Sequence, residues 1–299
     1  MINLAFHSGF VSIIGKTNVG KSTLMNKFIG EKISVTSNKP QTTRNKILSV
    51  LTDDESQIIF LDTPGIHKPK SKLSKFMLKT VDDSLKEIDA VLFLVEPQEK
   101  ISFTNDDILK KLAQISSSKI LVINKIDILA SKEKILKTID NYKQFDFNEI
   151  IPISALTGEN IDNLFACIKK YLPIGPKYFP DDTLTDMPER QIVAEIIREK
   201  ILIFMQDEIP HGCAVEVNTM RKRKGKDLVD IEAVVYCEKD SHKKMIIGKN
   251  AEMLKKIGTF ARRDIENLLG SKLNLQLWVK VKKNWRNNDF YLKQFGYNS

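Results

Sequence analysis

Short apolar runs rich in β-branched residues recur through the first half of the chain, at 10–14, 58–61, 90–95, 119–123 and 150–153. Each reads as a buried strand. Stretches of helical period lie between them, one beginning near Lys21 and others near 104–115 and 160–171. This alternation over 1–172 predicts an α/β domain with a doubly wound sheet, which binds ligands in loops at the strand C-terminal ends. Pro173, Gly175, Pro176 and Pro180 then punctuate 173–187, which reads as a linker. From 188 the pattern changes. Ile192, Ile196, Ile197, Ile201 and Phe204 recur at helical spacing within 188–208, and 213–220 and 228–237 alternate as strands. A short helix, a glycine-containing loop and a longer helix striped by Leu254, Ile257, Ala261, Ile265 and Leu268 follow, and 274–282 alternates as a third strand. The second domain, 188–299 with its tail, is therefore α+β in the order α-β-β-α-α-β.

Four strings sit in the loops this pattern leaves. GKTNVGKS at 15–22 is a phosphate-binding loop, shared by many nucleotide-binding classes when alone. Its glycines, Gly15 and Gly20, let backbone N–H groups of Lys16, Thr17, Asn18 and Val19 face phosphates, while a helix opening at Lys21, Ser22 and Thr23 adds its positive end. Lys21 is placed to reach the β- and γ-phosphates and the Ser22 hydroxyl to ligate Mg²⁺. DTPG at 62–65 puts Asp62 at a strand end as the Mg²⁺-oriented carboxylate, followed by Thr63, Pro64 and Gly65, whose N–H is suited to sense a γ-phosphate. QTTR at 41–44 supplies Thr42 and Thr43, either of which completes a Mg²⁺ shell; spacing does not choose between them. Lys21, Thr42, Thr43 and Gly65 are the candidate catalytic set.

NKID at 124–127 selects the base. Asp127 accepts two hydrogen bonds that guanine donates and adenine cannot, so a site built on it rejects adenine. Asn124, Lys125 and Ile126 share that loop, and Ser154–Ala155–Leu156 resembles the fifth GTPase motif, with the Ala155 N–H aimed at guanine O6. Together the strings identify a GTP- and GDP-binding GTPase. One set of motifs is present, which excludes a double-GTPase architecture.

Composition narrows the class further. The 299 residues are 42% hydrophobic and 28% charged, ordinary for a globular chain, and no apolar run approaches membrane-span length. The first residues run into the first strand without a basic leader, and Cys167, Cys213 and Cys237 form neither a metal motif nor an even disulfide set. A reducing cytoplasm fits, with the cysteines as small buried apolar residues. The net charge of +9 divides as +4 over 1–172 and +5 over the shorter remainder, pointing to an anionic partner, nucleic acid or membrane surface. The run Arg221–Lys222–Arg223–Lys224–Gly225–Lys226 reads as a solvated hairpin tip or as part of that contact.

The α-β-β-α-α-β order resembles a KH domain of type II topology, whose Gly-x-x-Gly loop clamps an RNA backbone. Here Gly248–Lys249–Asn250 is followed by Ala251 rather than Gly, with Lys243, Lys244, Ile247, Lys255 and Lys256 nearby. With PDDTLTDMPERQIVAEIIREKIL and LWVKVKKNWR, the whole chain resembles the Era family, bacterial GTPases that join a G domain to a KH domain. Its departures are Lys16–Thr17 in the phosphate loop and Ala251. The resemblance implies binding near the 3′ end of small-subunit ribosomal RNA, a role in small-subunit maturation, a monomer, and peripheral contact with the inner membrane in some circumstances. Ile66 stands where many GTPases carry a water-positioning Gln, so the chain resembles GTPases with a hydrophobic residue there and slow unaided turnover. Asn18 resembles the Asn that helps part of that group hold a K⁺ ion. The competing expectation is a membrane-surface GTPase whose basic C-terminal domain reads anionic lipid; no Lys-rich anchor helix with Trp or Phe supports it.

Overall fold

A computed structural model describes residues 5–31, 34–35, 39, 42–66, 69, 71–98, 100–129, 131 and 133–297, with Phe103 as backbone only. Gln41 and His67 lie outside the described residues. The chain packs as two compact units, one of Met1–Ser34, Thr43–Lys68 and Met77–Asp186, the other of Val35–Thr42, Pro69–Phe76 and Met187–Ser299.

The first unit holds a six-stranded sheet in the order β2-β3-β1-β4-β5-β6, with β1 His7–Gly15, β2 Ile47–Thr52, β3 Ser56–Asp62, β4 Ala90–Val95, β5 Ser118–Ile123 and β6 Glu149–Pro152. It is mixed: β2 runs antiparallel to β3, and the other pairings are parallel. β3 and β4 are buried at every position, as strands covered on both faces must be. The helices of this unit are α1 Lys21–Ile29, α3 Phe103–Leu112, α4 Glu133–Tyr142 and α5 Ile161–Lys170, together with the part of α2 Lys72–Asp83 from Met77 onward. Ile14, Ile59, Val91, Phe93 and Leu121 share a core with Ile108 and Leu112 of α3 and Tyr142 of α4. Register aligns the strand ends: Ile13 pairs with Asp62, and Ile123 with Pro152. The loops after β1, β3, β5 and β6 therefore open on one edge of the sheet, where doubly wound folds bind ligands.

The stretch read as a linker is bound along this unit. Ser8 N–H donates to the Pro173 carbonyl at 3.1 Å, and Gly175 N–H to Phe6 at 3.0 Å. The buried Gln57 side chain accepts from the Tyr178 and Phe179 N–H groups and donates to the Phe179 carbonyl at 2.8 Å. Val50 N–H reaches the Leu184 carbonyl at 2.9 Å, and Thr185 Oγ1 donates to Leu48 at 2.6 Å.

The second unit contains α6 Glu189–Phe204, β7 Ala214–Lys222, β8 Leu228–Cys237, α7 Asp240–Ile247, α8 Glu252–Leu269, β9 Lys272–Val281 and α9 Asp289–Gln294. β7 is antiparallel to β8 and β8 parallel to β9. Ile196, Ile197 and Ile201 of α6 pack with Val235 of β8, Ile257 and Ile265 of α8 and Val279 of β9. The tail closes on Trp285, fully buried, whose indole donates to the Gly212 carbonyl at 2.8 Å and stacks on Tyr297.

Candidate functional site

Lys21 opens α1 and is buried; its ammonium donates to the carbonyls of Lys16 at 2.8 Å and Gly15 at 3.2 Å. Burial pushes its pKa down to about 8, and the Asp62 carboxylate partly opposes that fall. Asp62 ends β3, wholly buried, and burial raises its pKa against the lowering effects of Lys21, Ser22, Ser34 and Thr43. Ser22 Oγ lies 2.9 Å from Thr43 Oγ1, and both hydroxyls donate to Asp62 Oδ2, at 3.2 and 3.3 Å. Thr43, rather than Thr42, thus brings its hydroxyl to Ser22 and Asp62. Asp62 Oδ1 is buried and takes no hydrogen bond among the described residues. Two hydroxyls and a carboxylate with an unmet oxygen, all hard donors, fit a Mg²⁺ ion.

Thr63 Oγ1 donates to the Ile13 carbonyl at 2.7 Å, pinning the end of β3 to β1 and leaving the neighbouring Pro64 buried. Gly65 passes so close to the phosphate loop that a Cβ there would lie 2.6 Å from Thr17 Cγ2 and 2.7 Å from its Cα. Ile66 N–H donates to Gly15 at 3.1 Å, and its side chain is buried in the core with Ile14 and Val91. It has neither the chemistry nor the direction to hold a water. Asn18 occupies the left-handed region at φ 65°, which Asn tolerates better than most residues. Lys16, Thr17 and Gly20 are half-buried, Val19 is buried, and Thr23 faces partly outward on α1.

Asn124 ties two loops together: its Nδ2 donates to the Val19 carbonyl at 2.8 Å, and its Oδ1 accepts the Ala155 N–H at 2.9 Å. The Ala155 N–H expected to face guanine O6 is therefore engaged by Asn124. Asp127 is exposed and oriented by Ser154, whose Oγ donates to Oδ1 at 2.5 Å and accepts the Thr157 N–H at 3.1 Å. Ile126 N–H donates to Ile153 at 3.2 Å, drawing the 124–127 loop onto the strand that leads to Ser154. Lys125 pairs with Glu96, a partner absent from the motif reading, and Leu156 is exposed. Glu96 follows β4 directly, so the strand order supplied the signal that the motif alone did not.

The loop of the second unit joins α7 to α8. Gly248 has φ 73° and ψ 176°, and a Cβ there would meet Met253 Cβ at 2.9 Å and its N at 3.0 Å. That conformation is essentially reserved for glycine. Lys249 and Asn250 are exposed, and Asn250 and Ala251 both hold positive φ, 50° and 60°. Ala251 thus holds left-handed backbone as it closes a 3-10 turn over Lys249–Ala251 and caps α8. Lys244, Lys255 and Lys256 are exposed and Lys243 half-exposed. Lys256 Nζ lies 4.5 Å over the Phe204 ring, and Ile247 packs on the core.

Comparison with known proteins meets this geometry at both units. A family model described as "50S ribosome-binding GTPase" matches residues 10–125, and one described as "KH domain" matches 208–286. GTPase Era of Clostridioides difficile (strain 630) is 56% identical over 294 residues, covering 98% of this chain and 99% of that protein. GTPase Era of Thermoanaerobacter sp. (strain X514) is 52% identical over 291 residues, covering 97% and 96%. The chain belongs to the Era family of GTPases. A point variant of Aquifex aeolicus Era bound to GDP·AlF4⁻ superposes with a TM-score of 0.94 at 40% identity, covering 98% of this chain and 100% of that one. An Era complex with MgGDPNP and nucleotides 1506–1542 of 16S ribosomal RNA matches equally, with the same TM-score, identity and coverage. This Era-family chain is accordingly a GTP-hydrolysing enzyme of G-domain and KH-domain architecture. Among its described residues no helix is long and apolar enough to cross a membrane.

Proposed function

We propose that this Era-family GTPase is an RNA-binding switch of small ribosomal subunit assembly, gripping the 3′ region of small-subunit ribosomal RNA with the loop 248–251. The observation that carries the reading is that loop: glycine-only backbone at Gly248, then exposed Lys249 and Asn250, at the opening of an 18-residue helix. The backbone of an RNA strand approaches closest where a side chain is missing, and Lys249 meets its phosphates there. An Era relative of 40% identity solved with 16S ribosomal RNA supports the same assignment.

In the nucleotide site Lys21 binds the β- and γ-phosphates, the 15–20 backbone cradles them, and Gly65 N–H senses the γ-phosphate. Ser22, Thr43 and Asp62 would hold a Mg²⁺ ion, which would supply counter-charge to the phosphates. Asp127, aimed by Ser154, selects guanine. Ile66 leaves the attacking water without a side-chain base, so turnover is slow. Asn18 would help hold a K⁺ ion that adds positive charge at the phosphates; exchanging Na⁺ for K⁺ should then speed hydrolysis in the wild type and not in Asn18→Ala, and equal rates in both salts would remove the ion. We place the chain in the cytoplasm, acting as a monomer.

RNA from the small-subunit 3′ end, titrated against wild type and Lys249→Glu across a salt series, tests the reading. Charge reversal at a phosphate contact weakens binding about tenfold or more and flattens the salt dependence by about 0.7 in slope for each lost contact. Thermal melting of the variant controls for folding. Full RNA affinity in Lys249→Glu, with vesicles of anionic lipid bound instead, would replace this reading with the membrane-surface one.

A further inference from the structure

The densest run of cations in the second unit lies not at the loop 248–251 but at the far end of α8. There the β7–β8 hairpin carries Arg221, Lys222, Arg223, Lys224 and Lys226, all exposed, around Gly225. Arg223 alone is committed: its guanidinium grips Asp230 through two bonds of 2.6 Å, and Asn274 holds the same carboxylate at 2.7 Å. The turn is closed by Arg223 N–H to Leu228 at 2.9 Å and Lys226 N–H to Arg223 at 3.3 Å. This clamp fixes the hairpin root and leaves its other cations outward. Among the described residues Arg190, Arg221, Lys224 and Lys226 make no ion pair, and Lys222 has only Asp227 at 3.9 Å.

Beneath the hairpin lies a cavity of about 400 Å³ lined by Arg190, Arg221 and Lys222, with Met220, Val229 and Leu269 forming an apolar floor and Ser271 at the edge. Glu189 is the acid that faces it. We propose that this end of the KH unit is a second RNA-binding surface, taking the phosphodiester backbone of the strand that leaves the loop 248–251. The cations are spread over a recess and a projecting strand pair, as a polyanion requires, and the apolar floor suits a ribose face. The hairpin tip carries no apolar side chain to insert into lipid, which disfavours a membrane.

The proposal rests on the RNA reading above and adds a length requirement to it. α8 spans 18 residues, so loop and cavity lie about 27 Å apart, or about eight stacked nucleotides at about 3.4 Å each. An RNA of about 6 nucleotides fills the loop alone, and one of about 16 reaches both places. The experiment compares the full chain with its Arg221→Gln/Lys224→Gln/Lys226→Gln variant on both RNAs. The exposed side chains changed are outside the Arg223–Asp230 clamp, and an Arg221→Lys/Lys224→Arg/Lys226→Arg variant keeps the charge as a control.

The neutral variant binds the short RNA as wild type does, loses about tenfold or more on the long RNA, and shows a salt slope shallower by about 2 there. The charge-retaining variant restores long-RNA binding. Equal loss on both RNAs would reduce the hairpin to a diffuse field and overturn the proposal. So would unchanged long-RNA affinity accompanied by lost binding to phosphatidylglycerol vesicles. Failure of wild type to bind the short RNA would instead overturn the loop reading, and the long-RNA comparison would still decide the hairpin.

Discussion

Ala251 holds φ 60° where an L side chain is strained by about 1 kcal/mol or more. Ala251→Gly should therefore stabilise the second unit by roughly 1 kcal/mol and raise its melting temperature by about 4 °C, read by thermal unfolding; a lower midpoint would contradict the backbone assignment. The same reasoning makes Gly248→Asp a poor probe of RNA contact, because Met253 already fills the space its Cβ needs. Lys21 gives a pH prediction. Its pKa in the fold, about 8, lies below the unfolded 10.5, so stability contributed at this group rises with pH across that window. Binding GDP needs the ammonium, so above pH 8 binding takes up a proton and affinity declines. Calorimetry at pH 8.5 in two buffers of different ionisation enthalpy should show that uptake, and identical heats would refute it. Asp127→Asn should cost GTP on the order of 3 kcal/mol and favour a xanthine nucleotide, because an amide then faces guanine's donors; unchanged GTP affinity would dismiss Asp127 as the reader. Residue types and order pointed to Lys21, Ser22 and Asp62 as candidates, and the fold brings these three side chains together. What stayed hidden was which neighbour joins them: Thr42 and Thr43 are chemically alike and adjacent, and only the fold brings the Thr43 hydroxyl to Asp62.

Elements were legible where one-dimensional pattern and three-dimensional role coincide. The β4 run at 90–95 is apolar throughout because both its faces are covered, and the basic hairpin stands between β7, bulged between Val217 and Thr219, and β8, which alternates over its first six residues. Nothing in the sequence reading named β2, α2, α4 or α9. β2 is a partly exposed edge strand with Ser49 in its middle, so it lacks the continuous apolar run of its neighbours. α2 and α4 do carry amphipathic spacing, Leu73, Met77 and Val81 in one and Ile135, Thr138 and Tyr142 in the other, but polar stretches around them masked the period. The 173–187 stretch, read as a linker, is bonded as a strap along the first unit, a contact its sequence does not announce because proline content reports local stiffness and not what lies alongside. Gln57 is the element-scale test: its buried amide satisfies two N–H groups and a carbonyl of the strap. Gln57→Ala should cost the first unit about 2–3 kcal/mol and make 176–186 the first segment cut in limited proteolysis; wild-type resistance would show that other bonds hold it.

At the scale of the molecule, two hydrophobic cores of unlike pattern explain why both fold classes could be read from sequence. Strands separated by helices predict a sheet covered on two sides, and paired alternating strands with late helices predict a sheet covered on one. The basic run 221–226 was legible in the sequence, and what the fold adds is its place, beside the starts of β8 and β9 and so at the end of α8 away from the loop 248–251. The three cysteines belong to the interiors of both units: Cys167 packs in the first, Cys213 and Cys237 in the second, all buried and all thiols. Burial pushes Cys167 and Cys237 up to about 11, so at neutral pH almost no nucleophilic thiolate forms at either. Native protein at pH 7.5 should react with a maleimide far more slowly than after denaturation, and stoichiometric labelling within minutes would show those cores to be open. A chain whose own sulfurs are silent is ready for a reporter: one cysteine placed at Lys224 takes a fluorophore at the hairpin with every native thiol left where it is.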